Sequence, residues 1–115
     1  MALESSNWTY NEFLAFLLVY AGSMDNELTK EELAFIQNRT KISQVDKMKA
    51  TVQGLNDVEV IEVIEGYRKK YLDTAEKEVQ AKTDLENLLK TPGEHSQIEK
   101  VGVHMLEKII MKKAG

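Results

Sequence analysis

Apolar residues recur three or four positions apart along most of the chain, which is the spacing of one face of an α-helix. Residues 9–21 are the most apolar segment. One stripe of this segment consists of Tyr10, Phe13, Leu14, Leu17, Leu18 and Ala21. Phe16, Val19 and Tyr20 add apolar surface on the other side. Because a helix that is apolar nearly all round is normally buried, we predict that residues 9–21 form the central helix.

Further helical periods predict an all-α fold, a compact bundle of about six helices. A second helix is predicted after Thr29. Apolar stripes mark the third helix at Val45, Met48, Val52 and Leu55 and the fourth at Val60, Ile61, Ile64, Tyr67 and Tyr71. The fifth is marked by Ala75, Val79, Leu85, Leu88 and Leu89, and the sixth by Ile98, Val101, Met105, Leu106 and Ile109. The stripe of the fifth helix is thin, so this helix is expected on the outside of the bundle. Residues 58–64, VEVIEVI, could form a strand, but they lack strict alternation and continue without a turn signal, which favours a helix.

Each predicted helix has a start signal. A Ser, Thr, Asp or Asn followed three residues later by an acid is typical of a capping box, in which each side chain accepts a hydrogen bond from the backbone N–H of the other residue. The pattern occurs as Thr9 with Glu12, Thr29 with Glu32, Ser43 with Asp46, Asn56 with Glu59, Asp73 with Glu76, and Ser96 with Glu99. Six pairs at these intervals support six helices.

The stretch MDNELTKEELAFI, residues 24–36, can be interpreted as an ordinary helix start. Thr29 is then the N-cap and Glu32 completes its capping box. Leu28 and Leu33 flank the cap with the spacing of a hydrophobic staple. This interpretation accounts for these four residues without any ligand.

A calcium loop is the alternative interpretation of the same stretch. Asp25, Thr29 and Glu32 would occupy its fifth, ninth and twelfth positions, with Asn26 in the place of the glycine. Ala21 would stand where the loop needs its first aspartate. A complete EF-hand is therefore not expected.

A second copy of this pattern lies near the end of the chain. TPGEHSQIE, residues 91–99, aligns with MDNELTKEE, residues 24–32. The two stretches belong either to two related helix-loop-helix units or to two caps that look alike because caps share residue types. If the units pack side by side, Glu94 and Glu99 close an acidic patch with Asp25 and Glu32.

Composition limits the class of protein. With 115 residues, of which 43% are hydrophobic, the chain is expected to be a single helical domain over residues 1–115. The absence of cysteine excludes disulfides, thiolate zinc sites and cysteine nucleophiles. Since the net charge is −4 and basic residues are scattered, nucleic acid is not expected as a partner. The chain has neither a signal-peptide pattern nor an apolar run of about 20 residues, so we expect a cytoplasmic protein outside the membrane.

Nothing in the sequence indicates catalysis. It contains no recognisable nucleophile with a base, no histidine with a carboxylate orienter and no glycine-rich phosphate loop. His104 lies beside the apolar stripe of the last helix, and we expect it to pack at the boundary of that stripe. His95 precedes a cap and is expected to be solvated. We therefore predict that the protein is not an enzyme.

The stretch LLVYAGSMDNELTKEELAFI, residues 17–36, resembles the first signature of the tellurite-resistance TerB family. In that signature an apolar helix ends in an alanine, and an Asp-Gly loop leads through an apolar residue and Ser/Thr to an acid on the next helix. The similarity extends to PGEHSQIEKVGVHMLEKI, residues 92–109. The resemblance implies a compact α-helical domain of the kind found in bacterial stress and tellurite-resistance systems, and beside J-domains in some co-chaperones.

The resemblance also implies divalent-cation binding by acidic residues of the two loops. Asp25 and Glu32 match the first motif by position, and Glu99 matches the second. Asn26 stands in for the glycine, and Pro92 replaces the second aspartate. A cation held by two carboxylates keeps mostly water ligands, which suits weak binding of Ca²⁺ or Mg²⁺. The expected metal residues are Asp25, Glu32, Glu94 and Glu99.

Two functions are expected from these observations. The first is a TerB-like module whose acidic loops bind a cation weakly or engage a protein partner in a stress response. The alternative is a plain helical interaction or adaptor domain without an ion site. Such a domain could form a homodimer through Trp8, the fifth helix or other exposed apolar residues. A metal titration and a size measurement separate the two.

Overall fold

Six α-helices make up the described part of the protein. The computed structural model describes residues 8–24, 28–43, 45–91 and 95–111. In chain order the helices are α1 (Tyr10–Gly22), α2 (Lys30–Thr40), α3 (Val45–Gln53), α4 (Asp57–Tyr71), α5 (Ala75–Leu88) and α6 (Gln97–Ile110). The prediction of an all-α bundle of about six helices is confirmed, and residues 58–64 are helical. Within the described ranges, no helix has both the length and the apolar character needed to cross a membrane.

The first helix is the central one, as predicted. Residues 13–19 and Ala21 of α1 have no exposed surface, and α1 packs against each of the other five helices. The neighbouring helices contribute buried side chains that include Ile36, Val45, Ile64, Leu85 and Leu106. An apolar helix with no exposed face thus forms the centre of the core.

Three of the predicted capping boxes are complete. They are formed by Thr9 with Glu12 at α1, Thr29 with Glu32 at α2 and Asn56 with Glu59 at α4. In each pair the acid accepts from the backbone N–H of the cap residue, and the cap side chain accepts from the backbone N–H of the acid. These three helices therefore begin where the sequence predicts.

The start of α5 differs from its prediction. Thr74 is the cap, because its hydroxyl accepts from the backbone N–H of Lys77 at 3.2 Å. Asp73, the predicted cap, instead pairs with the ammonium of Lys77 at 3.2 Å. At α3, Ser43 is separated from the first helical residue by position 44, which lies outside the described residues, so its cap stays a prediction.

The apolar residues of α6 divide between two faces. Val103, Leu106 and Ile110 are buried against the bundle. Ile98, Val101 and Met105, which share one stripe in the sequence, are 62%, 58% and 39% exposed. The helix therefore has one face in the core and a second apolar face in solvent.

Two glycines allow the chain after α1 to approach its neighbours. A Cβ at Gly102 of α6 would overlap the thioether of Met24, and a Cβ at Gly22 would overlap Leu28. The same Cβ at Gly22 would lie 3.6 Å from Oε1 of Glu32. The end of α1 is thus in close contact with the start of α2 on one side and with α6 on the other.

Candidate metal centre

Glu32, His95 and Glu99 come together where α2 and α6 begin. Glu32 and Glu99 are each the third residue of their helix, and His95 precedes the N-cap of α6. Nδ1 of His95 lies 3.2 Å from Oε2 of Glu32 and 3.3 Å from Oε1 of Glu99. The side chains are only 6%, 2% and 3% exposed for His95, Glu32 and Glu99. Two carboxylates and an imidazole therefore share one buried site.

The imidazole of His95 is oriented by its other nitrogen. Nε2 lies 3.0 Å from the carbonyl oxygen of Thr91 and 3.3 Å from the hydroxyl of the same residue. A carbonyl only accepts, so Nε2 carries the hydrogen and donates it. Nδ1 is consequently the nitrogen that faces the two carboxylates, and in neutral imidazole it has a free lone pair.

Glu32 is held by the cap of α2, and its second oxygen faces His95. Its Oε1 accepts from the backbone N–H of Thr29 at 3.0 Å. Its Oε2 points to His95 but has no hydrogen-bond partner in the described structure. The capping box therefore fixes the carboxylate and leaves one oxygen directed into the site.

Glu99 completes only half of its predicted capping box. The hydroxyl of Ser96 accepts from the backbone N–H of Glu99 at 3.1 Å, as predicted for a cap. The carboxylate does not return to Ser96, since its Oε1 lies against His95. Its Oε2 is buried and has no hydrogen-bond partner among the described residues. The carboxylate of Glu99 therefore lies in the shared site and not in the capping position.

Burial and mutual charge shift the protonation of this cluster. Burial, and after it the neighbouring carboxylate of Glu32, raises the pKa of Glu99 to about 7, although His95 acts in the opposite direction. Burial lowers the pKa of His95, but the hydrogen bond to Thr91 and the two carboxylates outweigh it, so the pKa of His95 is raised. Near neutral pH the cluster therefore holds protons that a divalent cation can replace.

The donor atoms have the spacing that a metal ion requires. One ligand atom from each of the three residues lies within 4.8 Å of the others. Leaving a buried carboxylate oxygen without a partner costs free energy, and this cluster contains two such oxygens. A divalent cation bound there would be a ligand partner for Oε2 of Glu32 and would balance the two carboxylate charges beside a neutral imidazole. The residues present fit a divalent metal ion.

The four residues predicted from the sequence fall into two groups. Glu32 and Glu99 are brought together at the start of their helices. Asp25 and Glu94 lie outside the described residues. The side chain of His95, expected to be solvated, is instead only 6% exposed, so that prediction is wrong.

The position of His95 directly before the N-cap of α6 is the sequence feature that indicates burial of its side chain. Aligning the two loops places His95 opposite Leu28, which is 7% exposed. The residue before an N-cap packs against the first turn of the helix in a hydrophobic staple. A histidine at that position is therefore directed inward, beside the acid that follows the cap.

His104 provides a contrast on the same helix. Its side chain is 77% exposed, and its Nδ1 lies 3.6 Å from Oε1 of Glu107. The prediction that His104 packs at a boundary is wrong, because it lies on the solvent side of α6. The pair of this exposed histidine with the largely buried Glu107 can serve as a control for the cluster around His95.

Comparisons with known proteins do not assign a role to these residues. What the cluster does is therefore inferred from its geometry and its chemistry. A scan against models of protein families gave no match, and neither did comparisons with curated proteins and with solved structures.

Proposed function

We propose that this protein is a small, non-enzymatic helical domain that binds a divalent cation at Glu32, His95 and Glu99. The observation that carries the proposal is a pair of buried carboxylates beside an imidazole nitrogen, each with one oxygen that accepts no hydrogen bond among the described residues. Buried charges in proteins are normally paired or coordinate metals. The resemblance to TerB-like proteins supports the same conclusion and suggests a role in a bacterial stress or tellurite response.

The size of the site and its position in the fold are suited to binding an ion. Donor atoms only 3.2 and 3.3 Å apart leave room between them for an ion but not for an organic substrate. The ligands come from the starts of two helices that are distant in the sequence. An ion held there would fasten α2 to α6 and stabilise the native state by its binding free energy.

Thermal unfolding with and without divalent ions tests the proposal. The protein is stripped with a chelator and melted alone and with Ca²⁺, Mg²⁺ or Zn²⁺. An ion at about a hundred times its dissociation constant adds about 2.7 kcal/mol, which is roughly 10 °C for a domain of this size. We expect one or more of these ions to raise the midpoint of the wild type by that order.

Variants separate the site from the cap. Glu32→Gln keeps an oxygen for the capping box but loses the charge, and Glu99→Gln removes the second carboxylate. Both should lose the response to the ion. Glu59→Gln is the matched control, because Glu59 has the same capping role at α4 in an exposed box. A wild type that responds to no ion, or a response that persists in both Gln variants, contradicts the proposal.

Self-association through α6 is a second candidate function. Ile98, Val101 and Met105 lie at positions i, i+3 and i+7 on one exposed face. The α6 helix of a second copy offers the same stripe, so a two-fold pairing of the helices would bury both. Sedimentation velocity over a range of concentrations should then show a dimer that Val101→Lys abolishes. A monomer at every concentration contradicts this candidate.

A further inference from the structure

We infer that the Glu32–His95–Glu99 centre selects a first-row transition ion of the Zn²⁺ type over Ca²⁺ and Mg²⁺. The inference rests on the proposed function and specifies the chemical class of its ligand. It departs from the expectation drawn from acidic loops, which contain only oxygen donors. The departure comes from His95, which places a nitrogen among the ligands.

Donor type is the first argument. Ca²⁺ takes six to eight oxygen ligands, and Mg²⁺ takes a nearly octahedral set of oxygens that usually includes several waters. Imidazole nitrogen suits zinc, copper, iron and nickel. One imidazole nitrogen and two carboxylates therefore all suit Zn²⁺ as ligands, whereas Ca²⁺ and Mg²⁺ prefer the carboxylates alone.

The separations within the cluster fit a small coordination number. Zinc binds nitrogen and carboxylate oxygen at about 2.0–2.2 Å and prefers four ligands in a tetrahedron, so neighbouring ligands lie about 3.3 Å apart. Nδ1 of His95 lies 3.2 Å from Oε2 of Glu32 and 3.3 Å from Oε1 of Glu99. These two edges match the tetrahedron without movement of the imidazole. A fourth ligand, such as water, would complete it.

Burial argues against the hard cations. A calcium ion bound to these residues would need at least three more oxygens around it. The three side chains are 2–6% exposed, which limits the number of waters that can reach an ion between them. A four-coordinate ion requires only one ligand besides these three side chains.

The hydrogen bonds behind the ligands have the form found in transition-metal sites. A ligating histidine almost always donates its other N–H to a carbonyl or carboxylate, and the ligating carboxylates are themselves hydrogen-bonded. Here Nε2 of His95 donates to the carbonyl of Thr91, and Oε1 of Glu32 accepts from the N–H of Thr29. The imidazole and one carboxylate are therefore fixed in the orientation for coordination before an ion arrives.

Isothermal titration calorimetry of the full chain tests the ion class. The metal-free protein is titrated with Zn²⁺, Mn²⁺, Ca²⁺ and Mg²⁺ in separate experiments. We expect one Zn²⁺ per chain, Mn²⁺ bound more weakly in line with the usual affinity order, and Zn²⁺ bound at least about 100-fold more tightly than Ca²⁺ or Mg²⁺. Ca²⁺ or Mg²⁺ binding as tightly as Zn²⁺ would overturn the inference while leaving the proposed cation site in place. Binding of none of the four ions would overturn the proposed function itself.

Histidine variants show whether the zinc is bound at this centre. His95→Gln removes the nitrogen ligand and should weaken Zn²⁺ by at least about tenfold, the lower end of the effect of losing even an outer-shell partner. His104→Gln, the control at the exposed histidine that pairs with Glu107, should leave the affinity unchanged. Zinc binding that is unchanged in His95→Gln, or that is lost in His104→Gln, would overturn the inference.

A spectroscopic measurement on the wild type avoids any dependence on the folding of a variant. Co²⁺ replaces Zn²⁺ in such centres, and its visible absorption reports coordination number. A four-coordinate centre should give intense bands that one equivalent of Zn²⁺ abolishes. The weak bands of a six-coordinate ion with oxygen ligands would contradict the inference.

Discussion

The metal-free protein should lose stability as the pH rises from about 5 to about 8, because the native state holds protons that the unfolded state releases. The pKa of Glu99 is raised from 4.5 to about 7, mainly by burial and then by Glu32. Between these two pH values the native chain binds more protons than the unfolded chain, so the free energy of unfolding falls as pH rises. His95 acts in the same direction, because its pKa is raised above 6.5 and its stabilisation is lost above that raised value.

The size of the effect follows from the shift. A rise from 4.5 to about 7 corresponds to up to about 3 kcal/mol for Glu99 at about 1.4 kcal/mol per pH unit. For a domain of this size that is roughly 10 °C in the melting temperature. Carboxylates such as Glu86, whose pKa is lowered by Lys82, affect stability only below about 4.5, whereas Glu107, whose pKa is raised by burial, acts in the same direction as Glu99.

Thermal and urea unfolding with a chelator present measures the effect across the interval. Glu99→Gln carries a permanently neutral group, so its melting temperature should depend little on pH. Between pH 5 and 8 it should stay close to the melting temperature of the wild type at pH 5. Glu59→Gln, from the exposed capping box of α4, should keep the wild-type slope. A wild-type melting temperature that is flat or rises between pH 5 and 8, or a slope that Glu99→Gln retains in full, would refute the reasoning.

Three further predictions concern the rest of the bundle, each measured by urea unfolding. Leu106→Ala should lower the free energy of unfolding by about 2–5 kcal/mol, because Leu106 is fully buried. Val101→Ala should lower it by less than about 0.5 kcal/mol, because Val101 is 58% exposed, and equal costs would contradict the orientation of α6. Arg39→Met should cost about 1–3 kcal/mol, since it removes the 2.8 Å partner of the buried Asp84; a neutral result would show that Asp84 needs no partner. Glu78→Leu should stabilise the protein by about 1–3 kcal/mol, because Glu78 is fully buried and neither carboxylate oxygen has a hydrogen-bond partner in the described structure; a loss of stability would contradict this account.

Helix starts could be predicted from the sequence because they depend on local hydrogen bonding. Thr29 and Glu32 satisfy backbone groups within one turn, so their spacing alone predicts the cap. The start of α5 is ambiguous in the sequence, because Asp73 and Thr74 are adjacent and both are residue types that cap helices. The contact between Asp73 and Lys77 leaves the cap to Thr74.

The orientation of α6 could not be predicted from its pattern. Apolar residues at positions 98, 101 and 105 have the same helical period as the buried set at 103, 106 and 110. The period therefore predicts the helix but does not indicate which stripe faces α1. Only packing decides, and the close approach of Met24 to Gly102 requires that a residue without a side chain lie on the buried face.

The site could be predicted only in part, because its residues meet through tertiary packing. Glu32 and Glu99 stand out as capping acids in two similar loops, yet nothing local indicates that they are neighbours. The expectation that His95 is solvated is wrong, although a histidine in a loop is usually solvated. Its burial depends on its position before the cap, together with the carbonyl of Thr91 that accepts from its ring.

Anomalous diffraction from crystals grown with one equivalent of Zn²⁺ tests the central claim most directly. Data collected on either side of the zinc absorption edge locate the ion without assumptions about its ligands. The account predicts one strong peak, at about 2.0–2.2 Å from Nδ1 of His95 and from one oxygen each of Glu32 and Glu99. A map with no peak between these three residues, or with zinc only at His104, would contradict it.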